Sequence, residues 1–476
     1  MARLTWILLT LVMAVYVLAI QDNDGTNDIG TLTLNISYNR VINTRRLVEN
    51  QAKLLCGVFP ANIEGLEALE SSLLTLNVDI DLHRNIYKMA IDTASPISWV
   101  SAAGSNITFA DPPSDRSNSD CAWSLSCVQT VLGSVQVLTN HGKLIGNVKS
   151  GLFSIAPSNA YKINFIVADY PPREFTEVDM SGVLGLGDTR LAIGSYAFSG
   201  TQFPFKETII DAMFRESDVS TKMFSIDIDF KNQSGTITFG GLNPMHRLLE
   251  DDFTWLPIPG VFSVSFHSVR YQSMKLSLNL LLDIDTLSSH RFNVDKRMHR
   301  FLLKSIGSAL GSSCGITTMG YIYCRLEYLS QISRMPTIEI SAGGKWFSIN
   351  TLYFISGCYR ESKLQSSGFL CFTNIKQSSY PYSIGLPLLY TNMLVFDKIK
   401  NRIGIRSKTI MPGTEITWRD IIDTEVIDKV DEATEKYWDK MCPLQGSSIN
   451  LENGIFTVLD VLGNNQFLTI NDILGM

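Results

Sequence analysis

The sequence predicts an all-β protein folded as two lobes. Three observations lead there. Apolar residues alternate with polar or small ones along short runs, as at Leu74, Leu76, Val78, Ile80 and Leu82, which is the period-2 signature of half-buried strands. Such runs recur at close spacing with turn signals between them, and helical patterns are few. One design also occurs twice, about 200 residues apart: Ala90–Val100 (AIDTASPISWV) and Leu280–Ser289 (LLLDIDTLSS) each carry an aspartate out of an apolar run into small hydroxyl residues. At 476 residues the chain is long enough for two lobes, each with its own core.

Composition narrows the function classes. Apolar residues make up 45% and charged residues 18%, as in a globular chain. A net charge of -6 and the lack of any Lys/Arg run argue against nucleic acid as a partner. The six histidines show no metal-ligand pattern, and no two of the eight cysteines have CxxC spacing, so no metal is expected.

Taken in order, residues 1–19 read as a signal peptide. Arg3 gives the positive start, Leu4–Leu18 an apolar run, and Val17-Leu18-Ala19 the small residues suited to cleavage. The run is short for a membrane span, and membrane association is expected only if it stays uncleaved. Residues 20–72 form an N-terminal extension or a pro-segment; Arg40, Arg45, Arg46 and Lys53 make it locally basic. The N-terminal lobe is placed at 73–255, the C-terminal lobe at 256–408, and a partly helical tail at 409–476.

Within the first lobe, Tyr87–Ile91 leads into Asp92. Asp111–Cys127 is a loop rich in Pro, Ser and Asp, with Cys121 and Cys127 expected to close a small ring. Val131–Ile155 reads as a hairpin turning near Asn140-His141-Gly142, and Ile163–Ala168 as a strand. Ser181–Gly187 (SGVLGLG) is neither GxGxxG nor a P-loop; an apolar pair before glycine suits a buried strand crossing close to other backbone. Glu207–Glu216 has helical spacing, and Phe224–Phe230 with Ser234–Phe239 forms a hairpin. The second half repeats the order. Strands at Phe253–Pro257 and Phe262–Ser268 lead to the second aspartate, Lys296–Ile306 is a helix, and Thr337–Ile340 and Trp346–Ile349 are strands. Ser383-Ile-Gly385 echoes the earlier apolar–glycine step, and a hairpin at Leu394–Asp397 and Arg402–Ile405 closes the lobe.

A carboxylate at the end of a buried strand is costly unless it is hydrogen-bonded. Two of them can share a proton and activate a water. Five motifs now stand in one order: Asp92–Trp99 (DTASPISW), Gly182–Gly187 (GVLGLG), Lys222–Ile226 (KMFSI), Gly235–Gly241 (GTITFGG) and Val395-Phe-Asp397 with Arg402-Ile-Gly404. Together they resemble the pepsin-like aspartic proteases over residues 73–408. The resemblance implies a bilobal all-β fold with an active-site cleft between the lobes. Asp92 matches the first catalytic aspartate, Thr93 the threonine tying the two loops, and Ser95 the supporting hydroxyl. Trp99 matches the tryptophan beneath the flap. Asp285 matches the partner aspartate, with Thr286 as loop tie and Ser288 as support; Asp283 is the rival candidate, one alternation away. The implied activity is an aspartic endopeptidase that hydrolyses a peptide or protein substrate by general acid/base catalysis through an Asp dyad and a water, without cofactor, as a monomer.

Four positions depart from the pattern. Ala94 and Leu287 replace the motif glycines, Thr139 stands where the flap has a tyrosine, and Leu386 stands where an acidic residue often follows the second apolar–glycine step. Leu287 and the missing flap tyrosine support an alternative, a catalytically impaired relative that binds peptides or a protein partner in the same cleft. The signal implies the secretory pathway, with the protein secreted or held in an endomembrane or vacuolar compartment. An even cysteine count there suggests disulfides. Cys314, Cys324, Cys358 and Cys371 can pair within the second lobe in three ways, and Cys56 and Cys442 are left over to bridge the extension to the tail. The sequons at Asn35, Asn106 and Asn232 would carry surface glycans.

Overall fold

The computed structural model of the chain describes residues 30–430 apart from 43–46, 48–49, 52, 55–69, 81–85, 102–130, 140–141, 157–158, 172–174, 176–179, 190–195, 199–204, 244–250, 260–261, 361–367, 380, 410–415 and 423. The expected signal peptide, Cys56, Cys121, Cys127, Cys442, the sequon at Asn106 and the tail beyond residue 430 lie outside the described residues.

The first half runs β1 (Leu32–Ile42), β2 (Glu70–Ile80), β3 (Ile86–Asp92), β4 (Trp99–Ser101), β5 (Val131–Thr139), β6 (Gly142–Ala156), β7 (Asn159–Tyr170), β8 (Gly182–Gly185) and β9 (Tyr196–Phe198). A short helix, α1 (Ile209–Arg215), and the hairpin of β10 (Met223–Asp229) and β11 (Ser234–Phe239) follow. The second half opens with β12 (Thr254–Pro257), β13 (Ser263–Tyr271), β14 (Met274–Ile284), β15 (Phe292–Val294) and the helix α2 (Lys296–Leu310). It continues through β16 (Cys314–Ile316), β17 (Tyr321–Leu326), β18 (Thr337–Ala342), β19 (Lys345–Asn350), β20 (Ile355–Arg360), β21 (Phe369–Gln377) and β22 (Tyr382–Ile384). After α3 (Pro387–Thr391) come β23 (Asn392–Asp397), β24 (Arg402–Ser407) and α4 (Trp418–Ile421). Residues 424–430 are helical and lie within the tail expected to be partly helical.

Two sheets result. One has fourteen strands in the order β12-β24-β23-β10-β11-β1-β2-β3-β8-β4-β7-β6-β5-β9, so strands from both ends of the chain meet in it. The other has a path of nine strands, β16-β17-β21-β15-β22-β14-β13-β18-β19, with β20 paired to β21 beside it. The protein is all-β with a few short helices, as the alternation of its apolar residues requires.

One strand falls inside the expected extension. β1 is an interior strand, antiparallel to β11 (Leu32↔Phe239) and to β2 (Ser37↔Thr75). Its sequence explains this: Ile36 and Tyr38 point into the core while Thr33, Asn35 and Ser37 are exposed. The alternation was there to be read. The sequons at Asn35 and Asn232 both present an exposed asparagine.

Most buried apolar side chains belong to one cluster reaching through both lobes, from Ile36 to Ile427. A smaller cluster under the β5–β6 hairpin gathers Trp99, Val135, Val137, Leu144, Phe175 and others, and it is the one that bears on the site.

Candidate active site

Each aspartate is delivered by the same device. β3 runs parallel to β8, with Asp92 opposite Gly185, and the Leu186 N–H donates to the Asp92 carbonyl at 2.8 Å. In the second lobe β14 runs parallel to β22, with Ile284 opposite Ile384, and the Asp285 N–H donates to the Ile384 carbonyl at 3.0 Å. The apolar–glycine steps allow this approach. A Cβ on Gly187 would lie 2.7 Å from the Ser95 carbonyl carbon, and one on Gly385 would lie 1.9 Å from the Ser289 oxygen. No larger residue can stand at either place without moving backbone. Leu386, fully buried, starts α3 and donates its N–H to Ser289 O at 2.7 Å.

The two loops are tied to each other by their threonines. Thr93 N donates to Thr286 Oγ1 at 3.2 Å, and Thr286 N donates to Thr93 Oγ1 at 3.2 Å. The hydroxyls in turn donate to the opposite strands, Thr93 to Ile284 O at 2.7 Å and Thr286 to Ile91 O at 2.6 Å. Both threonines are fully buried, so these bonds are shielded from competing water. The arrangement is reciprocal across 193 residues of sequence and places Asp92 and Asp285 on adjoining loop ends.

Each carboxylate accepts two backbone N–H groups on one oxygen. Asp92 Oδ1 accepts the N–H groups of Ala94 (2.8 Å) and Ser95 (3.1 Å). Asp285 Oδ1 accepts those of Leu287 (3.0 Å) and Ser288 (3.1 Å). Ser288 Oγ donates to Asp285 Oδ2 at 2.5 Å. Ser95 Oγ instead accepts the Ile97 N–H at 3.2 Å, so the two loops differ at their serines. Asp283, the rival candidate, lies within β14 and accepts from Ser263 Oγ at 2.7 Å across the ladder. Burial holds its carboxyl above the usual range, and the Asp285 charge adds to this against the Ser263 hydrogen bond.

Trp99 is buried beneath the β5–β6 hairpin, tilted against Phe175 with ring centroids 5.9 Å apart. Thr139 ends β5 and pairs with Gly142 at the tip of that hairpin. Phe175 was not found by sequence reasoning, because the residues around it carry no periodic apolar pattern. Lys398 was also missed. Its buried ammonium donates to Asp211 Oδ2 (2.8 Å), Thr208 Oγ1 (3.0 Å) and the Gly187 carbonyl (3.5 Å), bracing the turn that packs on the first loop.

Four cysteines resolve into two cross-strand disulfides, Cys314–Cys324 between β16 and β17 and Cys358–Cys371 between β20 and β21. No cysteine among the described residues is free. Among the described residues there is also no group of three or more His, Cys, Asp or Glu side chains that could hold a metal, and no helix long and apolar enough to cross a membrane.

Comparison with known proteins agrees with this geometry. Cathepsin E of Rattus norvegicus is 22% identical over 243 residues, covering 49% of this chain and 55% of that protein. The match thus spans about half the length of this curated relative. The crystal structure of an aspartic proteinase from Irpex lacteus superposes with a TM-score of 0.54 at 16% identity, covering 81% of this chain and 100% of that one, which shows a shared pepsin-like fold. The family model described as eukaryotic aspartyl protease matches residues 76–408. With that span covering most of the chain and both aspartate loops inside it, the protein belongs to the eukaryotic aspartyl protease family.

Proposed function

We propose that the chain is an aspartic endopeptidase that cleaves peptide bonds between its lobes using Asp92 and Asp285. The observation that carries this reading is the reciprocal Thr93–Thr286 tie, which holds two similarly anchored carboxylates on facing loops. A structural aspartate needs no such partner.

The chemistry follows from the anchoring. Backbone N–H groups fix Oδ1 of each carboxylate and Ser288 Oγ bonds Oδ2 of Asp285, and the pair so oriented holds a water between the loops. General acid/base hydrolysis by such a pair uses one carboxylate in its ionised form and the other in its protonated form. The ionised member takes a proton from the water, and the resulting nucleophile attacks the peptide carbonyl. The protonated member donates to that carbonyl oxygen and later assists departure of the amine. Thr93, Thr286, Ser95 and Ser288 are positioning residues in this scheme, since their contacts are to the loops and to the Asp285 carboxylate. Trp99 and Thr139 belong to the covering hairpin and the pocket beneath it.

Peptides or unfolded proteins are the substrate class. The two disulfides support an oxidising compartment on the secretory or endomembrane route. The test is cleavage of a denatured protein from acidic to neutral pH by the wild-type chain and by Asp92→Asn. Cleavage that disappears with Asp92→Asn supports the proposal. Peptide binding without any Asp92-dependent cleavage favours the second reading, a relative that binds but does not cut. Leu287, where the family pattern has glycine, favours that second reading.

A further inference from the structure

Leu287 stands two residues past Asp285 and donates its N–H to the Asp285 carboxylate. Its backbone lies in the tight turn Thr286–Ser288, and the left-handed residue of this loop is Ser289 (φ 52°). A glycine is therefore not required here by backbone conformation. The side chain is only 5% exposed. It does not join the large core of its own lobe. It packs in the small cluster under the β5–β6 hairpin, with Trp99, Val135, Val137, Leu144 and Phe175. Among the described residues it is the one member of that cluster from beyond Phe205. The first loop has no counterpart, because Ala94 carries a single methyl at the matching place.

So a leucine from the second loop crosses to the first lobe and ends under the covering hairpin, beside a dyad carboxylate. The threonine tie and the Leu287 N–H bond to Asp285 hold the backbone from which this side chain projects. The isobutyl group thereby fills space on the hairpin side of the dyad loop. We infer that Leu287 is a specificity-determining residue: it occupies an apolar recess that would otherwise accept a large apolar peptide side chain, and it restricts the adjoining substrate position to small residues. This rests on the reading that peptides bind between the lobes. A difference of one methylene in an apolar pocket changes selectivity by about 10–200-fold, and removing an isobutyl group removes several.

The test is a peptide series varied through Gly, Ala, Leu and Phe at each position flanking the cleaved bond, offered to wild type, Leu287→Val, Leu287→Ala and Leu287→Gly. Selectivity is read as ratios of kcat/KM, and as ratios of Kd by calorimetry in the Asp92→Asn background. Thermal melts identify the variants that stay folded, and Leu287→Val keeps the test readable if the smaller variants do not. At one position the Leu/Ala and Phe/Ala ratios are expected to rise about 10-fold or more in Leu287→Ala. A smaller rise in the same direction is expected in Leu287→Val. Folded variants whose ratios match wild type at every position overturn the inference. Ratios that shift in Kd with no cleavage by any protein support the inference while removing the endopeptidase reading. Asp92-dependent cleavage with unmoved ratios does the reverse, and peptides that bind none of the proteins overturn both.

Discussion

Asp283 lies in β14 and Asp285 just past its end, yet their surroundings differ. Asp283 is bonded sideways to Ser263 and is held above the usual carboxylate range by burial. Asp285 caps a turn and accepts two N–H groups, as Asp92 does. An asparagine is close in shape and can still accept the Ser263 hydroxyl, so Asp283→Asn should leave cleavage of a test peptide close to wild type. Asp285→Asn should lower kcat by about 10²–10⁴-fold, the usual worth of one acid/base group. The reverse result would assign the partner role to Asp283. The threonine tie gives a second prediction. Thr286→Val strips Ile91 O of its hydroxyl donor and Thr93 N of its acceptor, both buried. Each unsatisfied group costs about 1–3 kcal/mol, so the urea midpoint should fall, while Thr286→Ser should restore most of the loss.

Among the elements, α2 carries a less visible liability. Asp295 caps its start by accepting the Met298 N–H, and Gly311 (φ 61°) ends it, so the helix itself is well specified. His299 in its first turn is fully buried, and neither ring nitrogen has a hydrogen-bond partner among the described residues. Burial pulls its pKa below the ordinary histidine value, and the facing Gly320 backbone opposes this only in part. A depressed folded-state pKa means that the unfolded chain takes up the proton first. Stability is therefore full above the unfolded pKa of about 6.5 and declines as pH falls from there towards the folded pKa. His299→Leu should match wild type in thermal melts at pH 7.5 and exceed it at pH 5. A variant that gains nothing at pH 5 would show that His299 does not set the acid limit.

How far the elements could be read in advance follows the same physics. The β5–β6 hairpin, α2 and the closing hairpin of β23 and β24 stood where their periodicity put them, because local patterning determines them. The threonine tie was legible as paired motifs, although its reciprocity needed three dimensions. The disulfide pairing was not legible. Cys324 faces Cys314 on one side and Cys371 on the other, so neighbouring rungs offer competing partners that spacing cannot rank. Phe175 and Lys398 escaped because their roles arise from long-range packing, and no local rule marks a single phenylalanine or a turn lysine.

At the scale of the molecule, the lobes are also joined through charge. Asp211 in α1 meets Lys398, which follows β23, and Lys222 at 3.2 Å. Burial opposes ionisation of both members of the main pair. At Asp211 the Lys398 charge and the surrounding hydrogen bonds prevail and draw the carboxyl down to about 2. At Lys398 burial prevails, and its pKa lies below the ordinary lysine value. A lowered carboxyl pKa contributes stability that is full above about 4 and is lost as pH falls towards 2. Asp211→Asn deprives the buried lysine of its main counter-charge and should cost about 3–5 kcal/mol near neutrality. That difference should shrink as the pH approaches 2, measured by urea titration at a series of pH values.

The long sheet also dictates when the protein can fold during synthesis. β1 is made first but needs β11, some 200 residues later, to complete its ladder (Leu32↔Phe239). β10 needs β23 (Met223↔Asp397), near the end of the described chain. A nascent chain therefore carries unpaired strand edges until almost all of its length has left the ribosome. Such high contact order makes folding slow and leaves those edges open to wrong partners. Chaperone dependence during synthesis would then be a property of this topology, and a fragment ending before Asn392 should aggregate through β10 while the full chain stays soluble.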